Sequence, residues 1–191
     1  MFGAASLADP RVITPYVTQG LPQYNNSPLN TTQGRTVTNP SIIGSTGVIP
    51  ILGQSNAGNY GSGTAYTPTH GSDIHNLNIS DGGYYQAVEP LLGNDYIGNG
   101  FGLRLADSLI TNGTYTNVIL CPMAVGGSPS LHWAIGNPLN KRIIAMKARL
   151  RDKGLTPSFI LWHQGESDAS AGVPQGDYVA YCQSMIDTWR N

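Results

Sequence analysis

Three short polar segments hold most of the residues that could do chemistry. Gly53-Gln54-Ser55-Asn56 places a serine hydroxyl close behind a glycine that lets a substrate approach. Val125-Gly126-Gly127-Ser128 contains two residues without a Cβ, which can turn main-chain N–H groups inward. His163-Gln164-Gly165-Glu166-Ser167-Asp168 adds an imidazole, a side-chain amide and two carboxylates. A serine at a strand end is placed as a nucleophile. Main-chain N–H groups together with an amide are the parts of an oxyanion hole. Glu166 and Asp168 could orient a base or organise the loop. Taken singly, each segment is ordinary: a serine after a strand is a turn or cap residue, Gly-Gly a turn, and Gln-Gly-Glu-Ser-Asp a polar loop. Their joint placement carries the argument.

Each segment follows directly on an apolar run. Val48–Leu52 leads into the first, Val118–Ala124 into the second and Ser158–Trp162 into the third. Runs this short and continuous read as strands buried on both faces. Helices are expected between them. Gly100–Ile110 carries Leu103, Ala106 and Ile110 at helical spacing. Leu139–Lys153 carries a stripe of Leu139, Ile143, Met146 and Leu150, and ends at Gly154. In Asp177–Arg190, Val179, Cys182, Ile186 and Trp189 fall on one face. Ile74–Ile79 and Tyr84–Val88, joined by Ser80-Asp81-Gly82-Gly83, read as a hairpin. Apolar strands alternating with amphipathic helices predict an α/β fold with a parallel sheet covered on both faces. Ligands bind such sheets beyond the carboxyl ends of the strands, where all three polar segments lie.

Composition narrows the function. Of 191 residues, 10 are Lys or Arg and 11 Asp or Glu, a charged fraction of 11% against the usual quarter or so. Net charge is −1, so no basic excess exists to neutralise phosphates, and nucleic acid is excluded as the main partner. No apolar run approaches the roughly 20 residues of a membrane helix, so membrane insertion is not expected. Six basic residues on the 139–153 helix (Lys141, Arg142, Lys147, Arg149, Arg151 and Lys153) read as a solvated face. The two cysteines, Cys121 and Cys182, read as buried thiols. The opening MFGAASLADPR lacks the pattern of a signal peptide. The Asn, Gly, Ser and Thr that replace charge accompany extracellular and virion proteins, which sets the expectation of an extracellular or virion location. Residues 1–45 read as an extended arm, able to wrap the domain or dock on a partner, and residues 46–191 as the domain.

Other chemistries lack their residues. The four histidines have neither i, i+4 pairing nor cysteine partners, so no metal site is expected. The glycines of Gly98-x-Gly100-x-Gly102 lack the strand context of a dinucleotide site, and no phosphate loop is present, so no cofactor is expected. Ser55 is not in a G-x-S-x-G elbow, because position 57 is Ala.

The three motifs together resemble the SGNH-type esterases. The match runs through GQSN, then Ala124 to Trp133 with its Gly-Gly-Ser, then Trp162-His163-Gln164-Gly165-Glu166-Ser167-Asp168. The branch most similar is that of the sialate O-acetylesterases, related to carbohydrate esterase family 6. The resemblance covers about Gly47–Arg190. It implies a flavodoxin-like three-layer α/β/α fold and hydrolysis of O-acetyl esters on carbohydrate. It implies Ser55 as nucleophile, with its own N–H, a glycine of Gly126-Gly127 and the Gln164 amide as oxyanion donors. Glu166 is implied as an acid partner, Asp168 as structural, and Asn56, Trp133 and His163 as substrate-binding.

One feature departs from that family's pattern. Its general base is a histidine in an Asp-x-x-His segment near the end of the domain, and none of His70, His75, His132 and His163 sits in one. Strand alternation points His163 away from Gln164. The expectations are a domain incomplete at its carboxyl end, an open apolar sheet edge able to take a protein partner, and no histidine bonded to Ser55. Two readings stand: a serine O-acetylesterase acting through an acyl-enzyme, and a non-catalytic carbohydrate- or protein-binding module of a surface or virion assembly that keeps the esterase fold.

Overall fold

The computed structural model describes residues 32–42 and 44–191, so most of the arm lies outside the described residues. Five strands form one sheet: β1 (Thr46–Gly53), β2 (Ile74–Leu77), β3 (Tyr84–Gln86), β4 (Asn117–Pro122) and β5 (Leu161–His163). Their order is β3-β2-β4-β1-β5. β2, β4, β1 and β5 run parallel, and β3 returns antiparallel on β2 as the expected hairpin. The first hairpin strand is therefore also a member of the parallel set, which the sequence reading confined to three strands.

Side-chain alternation along the central strands explains the layers. In β1, Val48 and Leu52 enter one core while Ile49 and Ile51 enter another. β4 divides the same way, Ile119 and Cys121 against Val118 and Leu120. Helix α1 (Gly102–Thr111) buries Leu103 and Ala106 on the Ile49 side. Helix α2 (Asn140–Asp152) buries Ile143, Met146 and Leu150 on the Val48 side, joined there by Met185 of α4 (Gln175–Arg190). Helices on both faces give the three-layer α/β/α sandwich. A short helix, α3 (Glu166–Ala171), stands where the sequence suggested loop.

Four expectations are corrected. β5 is half-buried rather than buried, because it is an edge strand with β1 as its neighbour. α4 turns Met185 inward and leaves Val179 and Ile186 exposed, so of the apolar face read from the sequence only Trp189 packs against the core. Cys182, on that helix, is only part-buried, whereas Cys121 is fully buried. The basic face of α2 is not all solvated: Arg142 and Arg149 are buried. Arg142 Nε donates to the Met123 carbonyl at 2.9 Å and Nη2 to that of Gly93. Arg149 donates to the carbonyls of Ile79 at 3.2 Å and Ser80 at 2.7 Å. Burial pushes the Arg142 guanidinium down to about 10, still charged at neutral pH.

The two sheet edges are treated differently. Residues 36–38 cover β3, with Gln86 N–H donating to Thr36 O and Thr38 N–H to Tyr84 O, both at 2.9 Å. At the other edge Leu155, Ile160 and Trp189 line a groove of about 580 Å³ beside β5.

Candidate active site

β1 ends at Gly53, and the chain turns at once into a single 3-10 turn, Ser55–Ala57. The Gln54 carbonyl accepts from Ala57 N–H at 2.9 Å and Gly58 N–H at 3.1 Å, which fixes the turn. Two buried asparagines hold it from behind. Asn94 donates to the Ala57 carbonyl at 3.2 Å and accepts from Ala124 N–H at 2.9 Å, tying the turn to the end of β4. Asn59 exchanges hydrogen bonds with the Leu91 main chain, at 2.9 Å as donor and 3.3 Å as acceptor.

Ser55 opens onto a cavity of about 200 Å³, lined also by Asn56, Gly58, Tyr60, Gly61, Asn99, Gly100 and Phe101. Its far wall is built from two glycine-rich segments that pair with each other. Gly61 N–H donates to Asn99 O at 2.8 Å and Asn99 N–H to Gly61 O at 2.9 Å. A Cβ on Gly98 would stand 2.2 Å from the Gly61 carbonyl oxygen, so only glycine permits this approach. Sequence reading treated the two segments as separate loops and missed Tyr60, Asp95, Tyr96, Asn99 and Phe101. The signal was present in the matching glycine density of 58–63 and 93–102.

The third motif meets the first directly. Gln54 N–H donates to His163 O at 3.0 Å, and Gln54 Oε1 accepts from Ser167 N–H at 3.0 Å. Asn56 Nδ2 donates to Glu166 Oε1. His163 Nε2 lies 3.8 Å from the same Glu166 oxygen, both side chains about half exposed. The His163 ring is 6.4 Å from that of Phe101, a cavity residue. His163 and Glu166 thus stand at the cavity mouth on the Asn56 side.

The second motif contributes unequally. Gly126 N–H donates to Asp95 Oδ2 at 3.2 Å. Among the described residues, the N–H groups of Ser55 and Gly127 have no hydrogen-bond acceptor. Gly127 is exposed, with φ +66°, and open space lies where a Cβ would be.

Gln164 does not aim its amide nitrogen at open cleft. Nε2 donates to Asp168 and to the Ser128 carbonyl at 3.2 Å, which occupies both its hydrogens. Asp168 is buried and also accepts from Ser130 N–H at 2.9 Å and from the Ser130 hydroxyl. Gln164 and Asp168 therefore clamp the second motif to the third. Trp133 is corrected as well. It is fully buried, donates from Nε1 to Ser128 Oγ at 3.0 Å and packs edge-on against Trp162. A side chain with no exposed surface cannot touch substrate.

Among the described residues no histidine is hydrogen-bonded to Ser55. His70 Nδ1 is bonded to Asp107 at 2.9 Å and His75 Nδ1 to Thr38 at 3.0 Å, while burial lowers His132 below the usual imidazole range. No cluster of His, Cys, Asp and Glu that could hold a metal occurs among the described residues.

Residues 46–191 match the family model described as carbohydrate esterase, sialic acid-specific acetylesterase. The chain belongs to this family. No curated protein sequence matches it significantly. A solved protein from Arabidopsis thaliana shares its fold, with 22% identity and a TM-score of 0.57 over 77% of this chain and 68% of that one. The crystal structure of NanS aligns at 20% identity and a TM-score of 0.49. That alignment covers 77% of this chain and 61% of NanS. Membership in a carbohydrate esterase family agrees with a serine at the wall of a cavity at the carboxyl edge of the sheet.

Proposed function

We propose that this domain is a serine O-acetylesterase that removes acetyl groups from carbohydrate. The observation that carries the reading is the position of Ser55, at the carboxyl end of the central strand β1 and at the wall of a cavity. Ser55 Oγ attacks the acetyl carbonyl as its proton passes to a base. The negative charge that develops on the carbonyl oxygen is met by the N–H groups of Ser55 and Gly127. The ester C–O bond then breaks, the sugar oxygen takes a proton, and the acetyl group remains on Ser55. Water repeats the sequence and releases acetate. Asn56 and Glu166 hold one side of the mouth, with His163 beside them. Gln164 and Asp168 keep the Gly126-Gly127 turn in place.

A serine hydroxyl needs a positioned base to be a strong nucleophile at neutral pH. The described residues supply none to Ser55, so the base joins from outside them and these residues alone turn over slowly. That same observation favours the second reading, a non-catalytic sugar- or protein-binding module of a surface or virion assembly. Labelling with a fluorophosphonate separates the two. Covalent labelling at Ser55, abolished by Ser55→Ala, supports the esterase. Absence of labelling, even when the base-bearing polypeptide is present, supports the binding module.

A further inference from the structure

Asn94 and Asp95, adjacent in the chain, brace the two segments that carry the Ser55 and Gly127 N–H groups. Asn94 donates to the Ala57 carbonyl of the Ser55 turn at 3.2 Å. Asp95 reaches the second motif: its N–H donates to the Ala124 carbonyl at 2.9 Å, and its Oδ2 accepts from Gly126 N–H at 3.2 Å. The same oxygen accepts from Tyr60 Oη at 2.8 Å, and Oδ1 accepts from Tyr96 N–H at 2.8 Å. Tyr60 stacks in turn on Tyr96, with centroids 4.5 Å apart and planes 13° from parallel. Burial and the Asp95 carboxylate hold the Tyr60 phenol well above its usual range, so it stays a donor at neutral pH. A Cβ on Gly126 would stand 2.0 Å from Tyr60 Oη, so a side chain there would displace the phenol from Asp95.

We propose that Asp95 is a positioning residue for the oxyanion site: it takes the Gly126 N–H and so fixes the turn from which Gly127 presents its own. The proposal rests on the esterase reading. Oxyanion donors are effective when they are held in place before the charge develops. Gly126 and Gly127 have no side chains to anchor them, and Gly127 sits at φ +66° with open space where a Cβ would be. Such a pair is free to turn unless something outside it holds a peptide group. Gln164 and Asp168 hold the far end of the motif, at Ser128 and Ser130. Asp95 holds the near end. A carboxylate gains nothing from an anion formed close by, and the three donors on Asp95 spread its charge. Its contribution is geometric.

Acetate, the product anion, tests this because it meets oxyanion donors without the help of a base. Amide exchange and acetate titration are followed by NMR in wild type, Asp95→Ala and Asp95→Asn. The two roles Asp95 could play have opposite signs. Removing a mere nearby carboxylate tightens the binding of an anion, whereas loosening the turn weakens it. We expect Gly126 N–H to exchange about 10- to 100-fold faster in Asp95→Ala, the worth of a bond to a charged acceptor, with the amides of β1 and β4 unchanged. Acetate shifts the Ser55 and Gly127 amides in wild type and binds about 3- to 10-fold more weakly to Asp95→Ala. Asp95→Asn keeps an acceptor for Gly126 and recovers most of that loss. Unchanged Gly126 exchange in Asp95→Ala, or acetate bound as tightly as in wild type or tighter, overturns the proposal. Should Asp95→Ala not fold, Asp95→Asn is read alone. A neutral acceptor makes a bond about half as strong, so Gly126 still exchanges faster, and an unchanged rate overturns the proposal. If acetate moves neither amide in wild type, the oxyanion reading loses its support, and Gly126 exchange alone decides the hold of Asp95.

Discussion

Gly53 and His163 face each other across the β1–β5 pair so closely that a Cβ on Gly53 would lie 2.1 Å from the His163 carbonyl oxygen. This contact sets the distance between the first and third motifs. Gln54 N–H then reaches that same carbonyl, and Asn56 reaches Glu166. The glycine ahead of Ser55 is therefore needed for the packing of two strand ends as well as for access of substrate.

Gly53→Ala tests this. Its φ of +133° is hostile to any side chain, and the opposing atom is main chain that cannot swing away. Strain of this kind costs about 1–3 kcal/mol before the clash is counted. The expected outcome in urea denaturation is a loss above 2 kcal/mol or failure to fold, and in any soluble fraction a sharp fall in serine labelling. A variant with wild-type stability and labelling would contradict the close contact.

The central architecture was legible because β1 and β4 are buried on both faces and write continuous apolar runs. β5 was misjudged because Phe159, Ile160, Leu161 and Trp162 look equally apolar, and no sequence pattern tells an edge from a centre. Arg142 and Arg149 were misread for a related reason. A helix cation usually meets water, and only the fold shows the carbonyls of Gly93, Met123, Ile79 and Ser80 waiting for them. At the site, Ser55 and the glycines were visible as motifs. The Tyr60–Asp95–Tyr96 wall was not, because it is assembled from two loops 35 residues apart in sequence.

Ser55→Ala should leave the fold intact, since its side chain makes no hydrogen bond with described residues and stands at a cavity wall. Thermal melting should move little. In the presence of a competent base, esterase turnover should fall by several orders of magnitude, with a residue of catalysis left to the oxyanion donors. Turnover near wild type in a clean preparation would remove Ser55 from the mechanism.

Gln164→Ala distinguishes an oxyanion donor from a strut. Loss of a donor costs about 10²–10³ in kcat at nearly constant KM. Loss of a strut leaves buried Asp168 short of a donor, which costs about 1–3 kcal/mol of stability. The hydrogen bonds to Asp168 and Ser128 favour the second outcome, with only a modest fall in kcat. Paired melts and rate measurements on the one variant decide it.

Trp133→Ala should act on stability alone. The indole is fully buried, fills the core between α2 and α4, and satisfies Ser128 through Nε1. Truncation of a buried tryptophan costs about 3–5 kcal/mol, and the cavity it leaves cannot be filled from the surface. A selective rise in KM for a sugar ester with an unchanged melt would instead return Trp133 to substrate binding.

Asp107 should set the acid limit of the fold. It is buried on α1. Burial alone would raise it, but the Tyr66 hydroxyl, the N–H groups of His70 and Thr69 and the His70 ring outweigh that and hold it far below the usual carboxylate range. The shorter bonds among these are 2.6 Å from Tyr66 Oη and 2.9 Å from His70 N–H. A depressed folded-state pKa means the unfolded chain binds the proton more readily. The stabilisation is therefore complete above about pH 5, past the unfolded value near 3.9, and drains away as pH falls through the folded value. Asp107→Asn keeps the shape but has no charge to lose. At neutral pH it should melt lower than wild type, because the charged acceptor of four donors is gone. Between about pH 5 and 2 its curve should fall less steeply than that of wild type, so the two converge. Parallel acid limbs in wild type and Asp107→Asn, followed by urea midpoints across that range, would show that other carboxylates set the limit.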